Sequence, residues 1–159
     1  MTDTRALRRR RHPIHQPLIL GERPAIVFVT ICTRARRPIL ARHDAAATVV
    51  SAWRHATAWT VGRYVIMPNH LHFFCAPSDE SVALTRWAQY WKAVASRWWP
   101  RRNERPNWQR DLWDTRLRHG DSYEAKWEYV RLNPVRHGLV TTADQWPYQG
   151  ELTALWWDD

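Results

Sequence analysis

The chain of 159 residues is poor in cysteine and has no long apolar run. Its two thiols, Cys32 and Cys75, are too few for a disulfide framework and indicate a reduced, cytoplasmic environment. The longest predominantly apolar stretch, residues 25–32, is far shorter than the roughly 20 residues that cross a membrane. We therefore expect no transmembrane helix and no membrane partner. The basic start, residues 1–11, does not lead into an apolar stretch and does not fit a secretory signal, although an arginine-rich start also fits organelle import.

Lysine and acidic residues are also scarce. Only Lys92 and Lys126 among the 24 basic residues are lysines, and the 15 acidic residues leave a formal net charge of +9. Arginine predominates in two zones, residues 1–42 and 86–118. Because arginine binds phosphate and guanine edges through two parallel hydrogen bonds, the pattern predicts a polyanionic partner. A GC-rich coding sequence explains the same arginine excess.

The length and composition predict one folded domain with an arm and a tail. The chain has room for a single core, and its 45% hydrophobic and 25% charged residues are typical of globular proteins. Residues 1–24 are basic, contain three prolines and lack an apolar period, so we expect a flexible arm. Residues 25–150 are predicted to form the single domain, and residues 151–159 a short tail.

Twelve tryptophans are unusually many. A helical spacing of four, three and four residues places one set on the inner stripe of an amphipathic helix: Trp87, Trp91, Val94 and Trp98. Most tryptophans are therefore expected in the core. Trp108 and Trp113, which lie among arginines, are the better candidates for stacking on unpaired bases.

The hydrophobic pattern predicts an α+β fold. Strands are expected over residues 25–33, 61–67, 71–75 and 113–118, helices over 44–58, 81–99 and 122–132, and a loop over 100–112. Pro68 and Asn69 separate the second and third strands and favour an antiparallel hairpin. The order strand, helix, strand, strand, helix, strand, helix is typical of an antiparallel sheet whose helices pack largely on one face.

The ends of the three helices are predicted from their capping residues. Asp44 is expected to cap the first helix, and Asp79 or Ser81 the second. Pro134 is expected to end the third, because proline disfavours helical geometry in the residue before it.

Two histidines could bind one metal ion. His70 and His72 are two apart in a predicted strand, and such residues project from the same face. Such a pair also arises by chance in a chain with eight histidines. Tyr129 and Asn133, four apart, would share a face of the third helix. If that face packs over the hairpin, two imidazoles and an amide oxygen could hold a divalent ion beside a phenol.

This set of residues fits phosphodiester chemistry. Neutral ligands leave the full charge of the ion available to stabilise negative phosphate oxygens. A tyrosine oxygen, with an ordinary pKa near 10, needs help from the ion, a base or an arginine to attack phosphorus. Arg118, Arg131 and Arg136 are candidates for that help. A covalent phosphotyrosine would conserve the bond energy, so that a second strand end could be joined later.

Two separated motifs carry a family resemblance. MPNHLHFF at 67–74 and WEYVRLNPVRHGLV at 127–140 resemble the REP-associated tyrosine transposases, a branch of the IS200/IS605-like single-tyrosine HUH transposases. The resemblance extends from about residue 25 to 146, and further matches lie at 28–40, 108–118 and 144–148. It implies a ferredoxin-like or RRM-like sheet and the cleavage of single-stranded DNA next to palindromic hairpins. It also implies Mg²⁺ or Mn²⁺, a 5′-phosphotyrosine and a free 3′-OH.

The resemblance assigns roles position by position. His70 and His72 match the metal ligands, Tyr129 the nucleophile and Asn133 the third ligand. Relatives often have glutamine at this last position, and Asn133 could instead cap the helix end. The rival Tyr123 lies six residues before Tyr129, about 240° away in helical projection, and is therefore not expected on the face of Asn133. His137 is interpreted as a surface or phosphate-side residue.

The resemblance and the charge pattern together predict the partner and its contacts. The expected partner is single-stranded DNA with palindromic, REP-like hairpins, bound in the cytoplasm on the nucleoid by a monomer or weak homodimer. In a dimer, two chains could exchange the tyrosine helix. The predicted DNA-binding residues are Arg8, Arg9, Arg10 and Arg11 in the arm, Arg34, Arg36 and Arg37 after the first strand, and Arg118, Arg131 and Arg136. A solvated basic surface explains the same arginines.

Two other functions fit the same pattern. The first is a non-catalytic RRM-like module that binds single-stranded nucleic acid and stacks bases on Phe28, Phe73 or Phe74. The second is a metal-dependent nuclease that uses water, for which cleavage would survive Tyr129→Phe but not His70→Ala.

Overall fold

The computed structural model describes residues 25–117 and 120–156, which form an antiparallel sheet with helices on both faces. The strands are β1 (Val27–Cys32), β2 (Trp59–Ile66), β3 (His70–Pro77), β4 (Trp113–Arg116) and β5 (Gln149–Glu151), and the helices are α1 (His43–His55), α2 (Leu84–Arg97), α3 (Gly120–Arg131) and α4 (Asn133–Arg136). The predicted α+β class is confirmed.

The five strands are ordered β4-β1-β3-β2-β5. The first four form the ferredoxin-like arrangement, and β5 extends the sheet beyond β2. β2 and β3 form the predicted antiparallel hairpin, in which Ile66 pairs with Leu71. β1 lies on the other side of β3 and pairs Cys32 with His70. The histidine pair therefore lies on the central strand, at the end that leaves the hairpin turn.

One face of the sheet is covered by α1 and α2, as predicted for most of the helices. Alternate residues of β3, including Leu71 and Phe73, point into this larger core and are fully buried. Trp87 and Trp91 fill the space between sheet and helices, and the Trp87 indole donates a hydrogen bond to the Ala56 carbonyl at 2.7 Å. The amphipathic stripe of α2 thus forms the core.

The other face is covered by α3. Phe74 of β3 packs edge-on against Tyr123 of α3, with ring centroids 4.8 Å apart, and Val130 is buried in the same smaller core. The side chains of β3 that face α3 are those in register with Phe74, namely His70 and His72. The third helix therefore lies over the face of the sheet that carries the histidine pair.

The structure corrects the predicted helix starts. α1 has Arg42 at its N-cap, and Asp44 lies in the first turn, where its carboxylate accepts the Ala45 N–H. α2 begins later than predicted, after Ala83, because Asp79 and Ser81 bond to each other in a separate turn. Asp44 therefore bonds within the first turn of α1 without being its N-cap residue, and Asp79 and Ser81 lie in the turn before α2.

Two features near the end of the chain were not predicted. α3 ends at Arg131, as Pro134 predicted, but the chain then forms the separate helix α4, in whose first turn proline is tolerated. β5, which pairs with β2, was also not predicted. Gly62 of β2 is close to Leu155, and a Cβ at Gly62 would lie 2.7 Å from Leu155 Cδ1. The absence of a side chain at Gly62 lets the end of the chain approach the sheet.

The predicted tryptophan stripe is wrong at one position. Trp98 lies at the C-cap of α2 and is 45% exposed, because the helix ends before it can turn inward. Both cysteines are free and buried. Among the described residues, no helix has the length and apolar character needed to cross a membrane.

Candidate active site

His70 and His72 lie side by side on the exposed end of β3. Their ring centroids are 4.8 Å apart, and both side chains are half-buried. The pair has this geometry because strand residues two apart share a face. The Phe28 ring stacks on His72 at 5.5 Å and closes the inner side of the pair.

Each imidazole is held through one ring nitrogen. His72 Nδ1 lies 2.7 Å from the Thr30 hydroxyl on β1, and His70 Nδ1 lies 2.7 Å from the Asn69 side-chain oxygen. Because Asn69 Oδ1 accepts, His70 Nδ1 carries the proton and His70 Nε2 has the electron pair. His72 offers Nε2 in the same way in the tautomer whose Nδ1–H donates to the Thr30 oxygen. Partners of this kind fix the tautomer and orientation of metal-binding histidines.

Both imidazoles are neutral at physiological pH. Burial, with a smaller contribution from the nearby Arg36, lowers the pKa of His70 to about 4. Burial also lowers the pKa of His72 to about 3, and His70, Lys126 and Arg136 act in the same direction. The neutral form is the one that binds a metal ion.

The α3 and α4 helices bring a tyrosine between two cations. Tyr129 is 61% exposed, and the Arg136 guanidinium lies over its ring, 4.0 Å from the centroid. The Lys126 ammonium is 5.6 Å from the same ring and 4.7 Å from that of Phe28, which in turn stacks on His72. A continuous set of contacts therefore joins the tyrosine to the histidine pair.

Asn133 lies close to these residues, but its side-chain amide already forms a hydrogen bond within the protein. Its side-chain oxygen accepts a hydrogen bond from Arg136 at 3.1 Å, and its backbone carbonyl lies 2.9 Å from His137 Nδ1. The His137 ring is 6.2 Å from that of His70. Asn133 is therefore linked to the histidine pair by way of His137, which bonds to Asn133 and lies next to His70. Among the contacts given for the described residues, none joins Asn133 directly to the histidine pair.

The donor set fits a divalent cation only in part. Within residues 25–117 and 120–156, no group of three or more His, Cys, Asp and Glu side chains could hold a metal ion. Two neutral, pre-oriented imidazoles nevertheless suit such an ion. A cation at His70 and His72 would need its other ligands from Asn133, from a substrate phosphate or from water.

The predicted arginines are placed unequally. Arg34, Arg36 and Arg37 are exposed in the turn after β1, and Arg36 lies close enough to His70 to lower the pKa of its imidazole. Arg136 lies in the site, as described above. Arg131 is instead paired with Glu128 at 3.0 Å and with Asp144 at 3.5 Å. Arg8, Arg9, Arg10, Arg11 and Arg118 lie outside the described residues.

Of the other aromatic residues that were candidates for the nucleophile or for stacking, all but Trp113 are wholly or partly buried. Tyr123 is only 4% exposed, and burial raises the pKa of its phenol to about 12, so its oxygen is not available to DNA. Phe73 and Phe74 are fully buried, and Phe28 is 9% exposed, so none offers a free face for a base. Trp108 packs against Trp91 in the larger core. Trp113 is 43% exposed.

Lys126 and Thr30 were not predicted as site residues. The signal for Lys126 was available, since it lies three residues before Tyr129 and shares its helix face. Thr30 is opposite His72 on β1, and only the strand register reveals that contact.

The chain is similar to known proteins in sequence. A REP-associated tyrosine transposase of Escherichia coli K12 is 25% identical to it over 89 residues, which cover 55% of this chain and 52% of that protein. A candidate REP-associated tyrosine transposase of Haemophilus influenzae Rd is 28% identical over 96 residues, covering 52% of this chain and 53% of that protein. The matches thus cover about half the length of each relative. No protein-family model matches the chain.

Solved structures share the fold. A REP-associated tyrosine transposase bound to a REP hairpin superimposes with a TM-score of 0.65 at 20% identity, over 79% of this chain and 75% of that one. A candidate transposase from Deinococcus radiodurans R1 gives a TM-score of 0.52 at 10% identity, over 70% of this chain and 92% of that one. The predicted resemblance is therefore confirmed: the chain is similar to the REP-associated tyrosine transposases.

Proposed function

We propose that this protein is a metal-dependent single-stranded DNA endonuclease and strand transferase. It would cleave next to REP-type hairpins and form a 5′-phosphotyrosine at Tyr129. The relatives named above motivate the hairpin substrate, since one of them is a transposase bound to a REP hairpin. The arm over residues 1–24 would contact the duplex phosphates, and residues 25–150 would form the catalytic domain of a monomer or weak homodimer on the nucleoid.

One observation carries the proposal. The helix that bears Tyr129 lies on the same sheet face as His70 and His72, and Lys126 connects the two through Phe28. A tyrosine that is 61% exposed yet lies between two cations is accessible to a phosphodiester and has charges that attract it.

The side chains of this chain would perform the following steps. Lys126 and Arg136 attract the phosphate and offset its negative charge. The Tyr129 oxygen attacks phosphorus, so that the O–P bond to tyrosine forms while the bond between phosphorus and the 3′ oxygen breaks. The phenol loses its proton, and the departing 3′ oxygen takes one up to become a 3′-OH. Attack by another 3′-OH reverses these steps and joins a strand end.

His70 and His72, with Asn133 as the proposed third ligand, would hold Mg²⁺ or Mn²⁺. The ion would supply Lewis-acid stabilisation of the phosphate oxygens. The contribution of the protein is to keep both imidazoles neutral and oriented, through burial and the contacts to Thr30 and Asn69.

The proposal is tested by covalent capture. The full chain is incubated with Mn²⁺ and a labelled single-stranded oligonucleotide that contains a hairpin, and then denatured and run on a gel. We expect a labelled protein band for the wild type and none for Tyr129→Phe. Tyr123→Phe is the matched control, because it removes a buried hydroxyl that has no hydrogen-bond partner among the described residues.

Other outcomes separate the alternatives. Cleavage that survives Tyr129→Phe but not His70→Ala would indicate a nuclease that uses water. Binding without cleavage or adduct in the wild type would indicate a non-catalytic single-strand binder. An adduct that is unchanged in Tyr129→Phe would contradict the assignment of the nucleophile.

A further inference from the structure

Three exposed aromatic side chains lie together on the outer surface of the helical layer. The His55 ring, at the end of α1, is 6.1 Å from that of Tyr90 with only 24° between the planes, and 5.2 Å from that of Trp98. Tyr90 is 51% and Trp98 45% exposed. We call His55, Tyr90 and Trp98 the aromatic patch. Exposed large rings do not stabilise the core, and their clustering indicates a binding surface.

The patch borders a concave surface. A cleft of about 300 Å³ is lined by His55, Arg86 and Tyr90. A second cleft, of about 250 Å³, lies next to it and is lined by Arg54. Thr57 lines both clefts, so they lie on either side of this residue.

The charge around the clefts is positive. Arg54, Arg86 and Arg97 are exposed, and within the described part of the chain no salt bridge engages them. Asp79 is an acidic residue at the edge of the first cleft, where its backbone N–H donates to the Ala58 carbonyl. Its carboxylate accepts hydrogen bonds from Ser81 and not from these arginines. The arginines are therefore available to an anionic ligand.

We propose that the aromatic patch and its arginines form a second binding site for single-stranded DNA, separate from the candidate active site. An unpaired base would stack on Tyr90 or His55, and Arg86 and Arg54 would contact the phosphates on either side. Exposed rings between free arginines match the alternation of base and phosphate in a single strand. A duplex has no free base faces to stack, and an acidic protein segment would leave the rings without a partner.

The site lies on the opposite side of the sheet from the histidine pair. α1 and α2 cover one face, and His70, His72 and Tyr129 belong to the face under α3. A strand bound at the patch therefore cannot contact the candidate active site through the sheet, and reaches it only around an edge. This inference does not depend on the chemistry proposed for Tyr129.

Binding is tested with the full chain and a fluorescently labelled oligothymidylate that has no hairpin, in EDTA, by anisotropy. Tyr90→Ala should weaken binding about 5- to 100-fold, the loss typical of one stacked base. Tyr90→Phe, which keeps the ring, should stay within twofold of the wild type. Arg86→Gln should lower the slope of log affinity against log salt by about 0.7.

Matched controls define the result that overturns the inference. Trp156→Ala truncates another exposed ring, and Arg102→Gln removes another exposed arginine, outside the patch. If Tyr90→Ala and Arg86→Gln bind like these two variants, the patch is not a DNA site. Equal losses for single-stranded and duplex DNA in Tyr90→Ala would also overturn it, because stacking requires unpaired bases.

Photocrosslinking locates the contact. With an oligonucleotide that carries 5-iodouracil, we expect crosslinks in the tryptic peptide over residues 87–92, which contains Tyr90. Crosslinks confined to other peptides would contradict the site. Adduct formation with a short hairpin substrate should be unchanged in Tyr90→Ala. The test of the aromatic patch is therefore independent of the test of Tyr129 as the nucleophile.

Discussion

Single residues at the candidate site act through local contacts that the sequence reveals only in part. The spacing of His70 and His72 was sufficient to predict that they share a face, and the structure places them side by side. The contact between Thr30 and His72 could not be predicted, because it depends on the register between β1 and β3. The pairing of Arg131 with Asp144 depends on tertiary packing in the same way, whereas its pairing with Glu128, three residues earlier on the same helix, does not.

The two buried imidazoles predict a pH-dependent stability. Their folded pKa values, about 4 and 3, lie below the ordinary 6.5, so the unfolded chain binds more protons as the pH falls below 6.5. The free energy of unfolding should therefore decrease from pH 7 toward pH 4, by up to about 1.4 kcal/mol per pH unit for each imidazole. Urea unfolding in EDTA measures this slope. His72→Gln should reduce it, and a slope equal to that of the wild type would contradict the burial of His72.

The hydroxyl of Thr30 is predicted to position His72 for metal binding. Thr30→Val keeps the shape of the side chain and removes the contact to Nδ1, so the affinity for Mn²⁺ should fall about 10- to 100-fold. Titration monitored by Mn²⁺ electron paramagnetic resonance measures the affinity. Thr115→Val, an exposed position on the neighbouring strand β4, is the control. An affinity within twofold of the wild type in Thr30→Val would show that the contact has no positioning role.

At the scale of elements, hydrophobic periodicity predicted which segments are strands and helices, and the structure corrects their ends. The β-branched stretch at β1, the hairpin and, except at Trp98, the stripe of α2 were correctly identified. α1 begins within one residue of its predicted start, whereas α2 begins only at Leu84, because Asp79 and Ser81 bond to each other in the preceding turn. β5 was missed because three residues carry too little periodicity to identify a strand.

The contacts between α2 and the sheet should provide much of the stability. Trp91 is fully buried against Trp53 and Phe73. Trp91→Ala should lower the free energy of unfolding by about 3–5 kcal/mol, whereas Trp91→Phe should cost less because the indole N–H has no partner among the described residues. Denaturant unfolding measures both changes. The exposed Gln89→Ala on the same helix should change stability by less than about 0.5 kcal/mol, and a Trp91→Ala loss as small as that would contradict the packing.

At the scale of the whole molecule, the sheet separates two surfaces with different chemistry. The α3 face carries neutral imidazoles and a tyrosine between cations, and the α1 and α2 face carries exposed rings and free arginines. The high positive charge predicted a polyanionic partner, but its distribution over two faces depends on the topology. Sequence motifs identified the first surface because its residues lie within two short stretches. The second is assembled from the end of α1 and the outer face of α2, so no continuous motif marks it.

The most direct measurement is to map the covalent bond between the protein and DNA. After incubation with Mn²⁺ and a hairpin-containing single strand, nuclease and trypsin digestion leave a nucleotide on one peptide. Tyr129 is the only tyrosine in the tryptic peptide WEYVR, residues 127–131, and Tyr123 lies in the preceding peptide. We predict a 5′-phosphonucleotide on WEYVR in the wild type. A nucleotide on any other peptide, or hydrolysed DNA with no modified peptide, would contradict the assignment of Tyr129 as the nucleophile.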